Sequence, residues 1–287
     1  MATTHPWRVS NSCNEAVTLF DEEIATAESS GAPPLRVRMT VAYDGAAFHG
    51  FAAQPEIETV AGRLVSAIER TLRIKNLELT CAGRTDTGVH ARGQVVSFDV
   101  PGDVAVDPVE LARRVNRQTA PSVVVRDCVL APGFDARHDA VARRYRYTVV
   151  NASVPDPLLA TQAWWVPEPL DVRAMQAACD PLIGEHDFAA FCRKPAARRD
   201  GTIPGTTRRV TDAEWEFPAD DGVLYFWIEA NAFCHQMVRS VVGLLVDVGK
   251  GKRHVSDVLA VLRGLDRQTN AEPAPPHGLV LWEVTYN

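Results

Sequence analysis

From residue 35 onward the chain alternates. Leu35, Val37, Met39 and Val41 fall on one side of an extended segment that stops at Asp44-Gly45. A two-residue period buries one face of a strand and leaves the other wet, so the chain is constrained to sheet architecture from that point. Thr59 then stands as a helix N-cap, and Val60, Leu64, Ile68 and Leu72 recur every four residues on one stripe of a helix that covers the sheet. Strand patterns follow at 77–82 and 94–98, a helix at 109–116 and a β-branched strand at 122–129. The second half repeats the order, with a strand at 142–150, a helix at 171–182, strands at 207–217 and 223–230, helices through Met237 and Leu262, and a closing strand at 279–286. Strict βαβ rhythm is missing, which predicts an α+β fold with largely antiparallel sheets and helices packed on them. At 287 residues the chain exceeds the usual single core, so two lobes, 35–135 and 136–287, are expected with a cleft between them. Residues 1–34 are small, polar and acidic and end in Gly31-Ala32-Pro33-Pro34, which predicts a disordered extension outside the fold.

Composition removes several classes of function. The most apolar run, 238–248, is interrupted by Arg239, Gly243 and Asp247, so no membrane span is expected. The N-terminus lacks a basic region followed by an apolar one, which predicts a cytoplasmic protein. Six scattered cysteines contain no CxxC pair, and reduced thiols are expected. No HExxH or EF-hand pattern organises the histidines or acids, so no metal is expected. The net charge of −6 argues at first against a nucleic-acid partner, but the segment before Leu35 holds five acidic residues against Arg8 alone. The remainder is near balance, and one face can still be basic.

The most distinctive segment runs from Ala82 through Gly83-Arg84-Thr85-Asp86-Thr87-Gly88-Val89-His90 to Gln94. Its glycine spacing resembles half of a phosphate loop, yet Val89 and His90 stand where Lys and Ser/Thr belong, so it is no triphosphate site. What is left is a carboxylate on a glycine-flanked loop, either a catalytic group or a turn residue satisfying backbone donors. Arg143-Arg144-Tyr145-Arg146-Tyr147 follows a strand parity that puts Arg144 and Arg146 on one face and Arg143, Tyr145 and Tyr147 on the other. Such a strand either contacts phosphates and stacks a base or is plain solvated surface. Arg239 sits beside the apolar stripe Val238, Val241, Val242 and Leu245 and needs an anionic partner, structural or functional. His235, one turn earlier, reads as a capping or core-satisfied histidine. The basic, Gly/Pro-containing stretch 191–206 reads as a long functional loop.

Together GRTDTGVHARGQV, ARRYRY, ANAFCHQMVRSVVG and APPHGLVLWEV resemble, in order and separation, the signature segments of the TruA family of tRNA pseudouridine synthases. The similarity runs from Leu35 to Tyr286 and begins with YDGAAFHGFAAQP and TVAGRL. The resemblance implies a two-lobed pseudouridine synthase fold and an isomerase that converts uridine to pseudouridine at positions 38–40 of the tRNA anticodon stem-loop, with Asp86 as nucleophile. It further implies that Arg239 pairs with Asp86, that Tyr145 contacts the target base and that Arg84 helps extrude it, with Arg144 and Arg146 available to bind substrate. By the same resemblance the reaction needs no cofactor and no metal, and the active form is a homodimer bridged by tRNA. The chain departs from the family pattern at Phe51, Ala61 and Ala190, outside the trio of Asp86, Tyr145 and Arg239. The competing class is a non-catalytic RNA-binding or RNA-folding module.

Overall fold

The structure, a computed structural model, describes residues 32–194, 201–217 and 222–287. The expected extension lies almost wholly outside these residues, and so does the middle of the basic 191–206 stretch. Ten strands form one sheet: β1 (Leu35–Tyr43), β2 (Thr80–Cys81), β3 (His90–Val100), β4 (Val123–Leu130), β5 (Ala140–Val150), β6 (Trp164–Trp165), β7 (Gly184–Asp187), β8 (Thr207–Glu216), β9 (Val223–Ala230) and β10 (Leu279–Tyr286). The spatial order is β4-β1-β3-β10-β5-β9-β8-β7, with β2 beside β3 and β6 beside β5. Every pairing is antiparallel except β10 with β3 and β6 with β5, so the expected α+β class with a largely antiparallel sheet holds. The closing strand β10 lies at the centre, pairing Leu281 with Ala91 on one side and with Tyr145 on the other, and so joins the two halves of the chain.

Among the described residues five α-helices accompany the sheet: α1 (Val60–Leu72), α2 (Pro108–Thr119), α3 (Val172–Ala177), α4 (Met237–Gly249) and α5 (Val255–Gly264). Thr59 caps α1 by accepting the Gly62 N–H at 3.2 Å, as its sequence position predicts. Asp107 caps α2, where Pro108 occupies a first-turn position that has no partner for an N–H in any case. The helix expected at 171–182 stops at Ala177 and resumes as a single 3-10 turn over Asp180–Leu182, because Pro181 lacks the N–H a continuing helix requires. Of the expected 77–82 strand, Thr80–Cys81 is laddered and the Ala82 N–H adds a bond to the Val95 carbonyl at 2.9 Å, while at its start the Leu77 N–H is drawn to the Glu69 carboxylate at 2.9 Å.

The helices bury one face of the sheet. Val37, Met39, Tyr147, Phe226 and Ile228 on the strands share a continuous core with Leu64, Ile68, Leu111, Val242 and Leu245 on the helices. Helix α4 is buried nearly all round, and each of its leucine and valine side chains contributes about 1.5–3 kcal/mol by leaving water. Its start is tied to the segment before β10, since the Arg239 carbonyl accepts the Ala274 N–H at 2.9 Å. Among the described residues no helix covers the opposite face of the strands, which carries Arg92, Arg144, Arg146, Tyr225, Trp227 and Trp282 as interleaved cation–aromatic pairs.

Candidate active site

Asp86 stands on the loop between β2 and β3, and that loop is braced from below. Its carbonyl accepts the Val89 N–H at 3.1 Å, closing a tight turn whose third residue, Gly88, has φ +77°. Only glycine takes that conformation without strain. Thr85 is buried, with its hydroxyl 2.8 Å from that of Tyr43, and its carbonyl accepts the Phe51 N–H at 3.1 Å. The Gln94 amide donates to the Gly83 carbonyl at 2.6 Å. Gly45 packs so closely on the loop that a Cβ there would lie 2.0 Å from the Val89 carbonyl oxygen. The YDG segment is therefore a platform for the Asp86 loop, and its glycine is required by close approach.

Two nitrogen side chains flank the carboxylate, one at each oxygen. The Arg239 Nη1 lies 3.5 Å from Oδ2, and the His235 Nε2 lies 3.2 Å from Oδ1. Arg239 is the third residue of α4 and is itself anchored, its Nε donating to the Ala274 carbonyl at 2.6 Å. The segment just before β10 thus forms a third wall: Ala274 holds Arg239, the Pro275 carbonyl accepts the Tyr147 hydroxyl at 2.8 Å, and Pro276 packs on Gly88. Sequence reasoning gave His235 a capping or core role; the structure instead puts its imidazole on Asp86, half exposed. Gln236, at φ +67°, makes the difference by turning the chain, so that Met237 enters the core while His235 remains above it.

Tyr145 projects from β5 on the same face. It is buried, its ring meets Phe233 edge-on with centroids 5.0 Å apart, and burial, with the negative charge of Asp86 adding to it, raises the phenol pKa. The hydroxyl therefore remains protonated and can act as a donor. Beneath it Arg143, which strand parity puts on Tyr145's side, donates five hydrogen bonds to the carbonyls of Ala82, Arg137, Ala140 and Asn231. One buried guanidinium so ties the start of the Asp86 loop to the start of the His235 segment. Parity showed its direction in the sequence, whereas the two loops it joins are remote in sequence and could not be read there.

Arg84, two residues before Asp86, is exposed, and among the described residues it makes no hydrogen bond or ion pair. Arg144 and Arg146 lie on the other face of β5 from Tyr145. Arg144 faces Asp212 at 3.5 Å and Arg146 stacks on Trp282 at 4.2 Å, away from Asp86. Cys192 and Cys234 are joined as a disulfide beside the His235 segment, where reduced thiols were expected; Cys81, Cys128 and Cys179 are free. Burial pushes Cys81 up to about 11 and Cys179 up to about 12, so neither is a thiolate at neutral pH. Among the described residues no three His, Cys, Asp or Glu side chains gather into a metal site, and no helix is long and apolar enough to cross a membrane.

Residues 178–287, which supply Arg239, His235 and β10, match a family model described as tRNA pseudouridine synthase. Curated relatives carry the likeness across the rest of the chain. A tRNA pseudouridine synthase A of Frankia casuarinae is 44% identical over 88% of this chain and 89% of its own. One of Streptomyces avermitilis is 42% identical over 88% of each, and one of a Geobacillus species is 36% identical over 88% of this chain and 98% of its own. The chain belongs to the tRNA pseudouridine synthase A family, TruA.

Proposed function

We propose that this protein isomerises uridine to pseudouridine in the anticodon stem-loop of tRNA, with Asp86 as the attacking carboxylate. The observation that carries the reading is the Asp86 carboxylate itself, set on a glycine-braced loop, paired with Arg239 at 3.5 Å and beside a buried tyrosine, in a chain of this family. In the reaction the C1′–N1 bond breaks, the base turns, C5 bonds to C1′, the proton on C5 leaves and N1 takes one up, so atoms balance. No electrons and no water are consumed, so the residues have only to attack, orient and shelter. An ionised carboxylate is a competent nucleophile without a base to deprotonate it. Covering the cleft with RNA would disfavour the charged form, and Arg239 opposes that penalty.

A paired uridine must leave its stack before Asp86 can reach it, at a cost of a few kcal/mol. In our reading Tyr145 packs against the extruded base, and the exposed Arg84 fills the space it vacates. Residues 35–135 supply the Asp86 wall of the cleft and 136–287 the Arg239 and Tyr145 wall. The active form is a homodimer bridged by tRNA and works in the cytoplasm. Support for the homodimer comes from the open sheet face, where Arg92, Arg144 and Arg146 lie beside Asp212, Glu214 and Glu216, a patch of both signs that can meet its own copy about a two-fold axis.

The test is a tRNA transcript made with uridine tritiated at C5 and incubated with purified protein, without added metal or nucleotide. Release of tritium to water, with pseudouridine mapped to the anticodon arm, is the expected result. Tight binding of the transcript with no release would make the chain an RNA-binding module instead.

A further inference from the structure

We propose that His235 is a positioning residue for Asp86, fixing Oδ1 while Arg239 fixes Oδ2, so that the carboxylate is presented to the sugar or base in one rotamer. The inference rests on Asp86 being the attacking group.

Three observations carry it. First, the contacts are divided: one side chain stands at each carboxylate oxygen, His235 Nε2 3.2 Å from Oδ1 and Arg239 Nη1 3.5 Å from Oδ2. A single partner would leave the group free to rotate about its last bond. Second, the two partners sit on opposite sides of the site. The Arg239 side chain is 15% exposed and anchored to Ala274, whereas that of His235 is 46% exposed, on the open side from which a nucleotide would enter.

Third, the backbone that carries the imidazole is held from several directions. The His235 carbonyl accepts the Arg193 N–H at 2.9 Å, Cys234 is bonded to Cys192, and Asn231 accepts the Arg209 N–H at 3.0 Å. Gln236, held in the left-handed region at φ +67°, receives a hydrogen bond from Arg267 on its side-chain oxygen at 2.7 Å. A non-glycine residue in that region costs roughly 1–2 kcal/mol and persists only where its surroundings impose it. Here the imposed turn has a consequence: it aims His235 at the carboxylate. The contact needs only an N–H on Nε2, which the neutral tautomer and the imidazolium both supply.

The experiment compares wild type, His235→Leu and His235→Gln in single-turnover pseudouridine formation on an anticodon-arm transcript, with transcript Kd and melting temperature measured alongside. Glutamine places an amide N–H close to the position of Nε2; leucine keeps the bulk and removes the donor. The expected result is a rate for His235→Leu lowered roughly 10- to 100-fold at unchanged Kd and melting temperature, with most of the rate recovered in His235→Gln. A leucine variant as fast as wild type overturns the proposal, as does a glutamine variant no faster than leucine. Wild-type protein that makes no pseudouridine overturns the reading of Asp86 itself, and the comparison with wild type keeps the two failures apart.

Discussion

A carboxylate is useful here only if its direction is set, and most of the residues around Asp86 serve that end. Gly45 illustrates how little slack there is, since a Cβ would meet the Val89 carbonyl oxygen at 2.0 Å and the Val89 nitrogen at 2.9 Å, both backbone atoms. Gly45→Ala is expected to cost about 1–3 kcal/mol of stability by overpacking. Because the displaced atoms belong to the Asp86 loop, turnover should fall further, by about 100-fold for a 1 Å shift. Thermal melting and single-turnover rates on one preparation check both figures, and an alanine variant with wild-type turnover would show the platform to be dispensable. At this scale the sequence was informative about residue types. The glycine-flanked Asp86 and the Arg239 beside an apolar helix both announced themselves, and both meet at one point. His235 did not, because its direction depends on a left-handed turn at Gln236, a residue with no sequence signature for that conformation.

Between residues and molecule, the elements matter for how they carry loops to one place. Helix α4 brings Arg239, strand β5 brings Tyr145, and the turn before β10 brings Ala274 to hold the arginine. Arg143 joins two of these loops through four carbonyls. Arg143→Met keeps the apolar length and leaves those carbonyls unpaired, which is expected to lower stability by roughly 3–5 kcal/mol. Denaturant unfolding checks it; a change under about 0.5 kcal/mol would place the variant among ordinary surface substitutions. Leu245→Ala in the fully buried part of α4 should cost about 2–5 kcal/mol by the same measurement. Element positions were legible wherever the apolar period was clean, as in β1, α1 and β9. They were less so where one local bond decides, as with Pro181 ending the helical run and Glu69 capturing the Leu77 N–H. Strand order was not legible at all: nothing local tells β10, the last strand, to pair in parallel with β3.

For the whole molecule, the consequence of that order is a sheet with one face under helices and one face open. The site opens on the first and the Arg–Trp patch on the second, so Arg144 and Arg146 are turned from Asp86 by the same alternation that sends Tyr145 toward it. If the open face is the proposed dimer contact, Arg146→Glu should convert a particle of twice the chain mass into a single chain in light scattering. A wild-type protein that is already a single chain would refute the homodimer. The central claim is that Asp86 performs the attack, and the most direct test is Asp86→Asn, which keeps shape and removes charge. Wild-type and variant protein would be incubated with unmodified tRNA transcript, with pseudouridine mapped by chemical labelling and transcript Kd measured in parallel. The variant is expected to form no pseudouridine at a Kd near that of wild type. A variant that still converts the anticodon-arm uridine at the wild-type rate would contradict it.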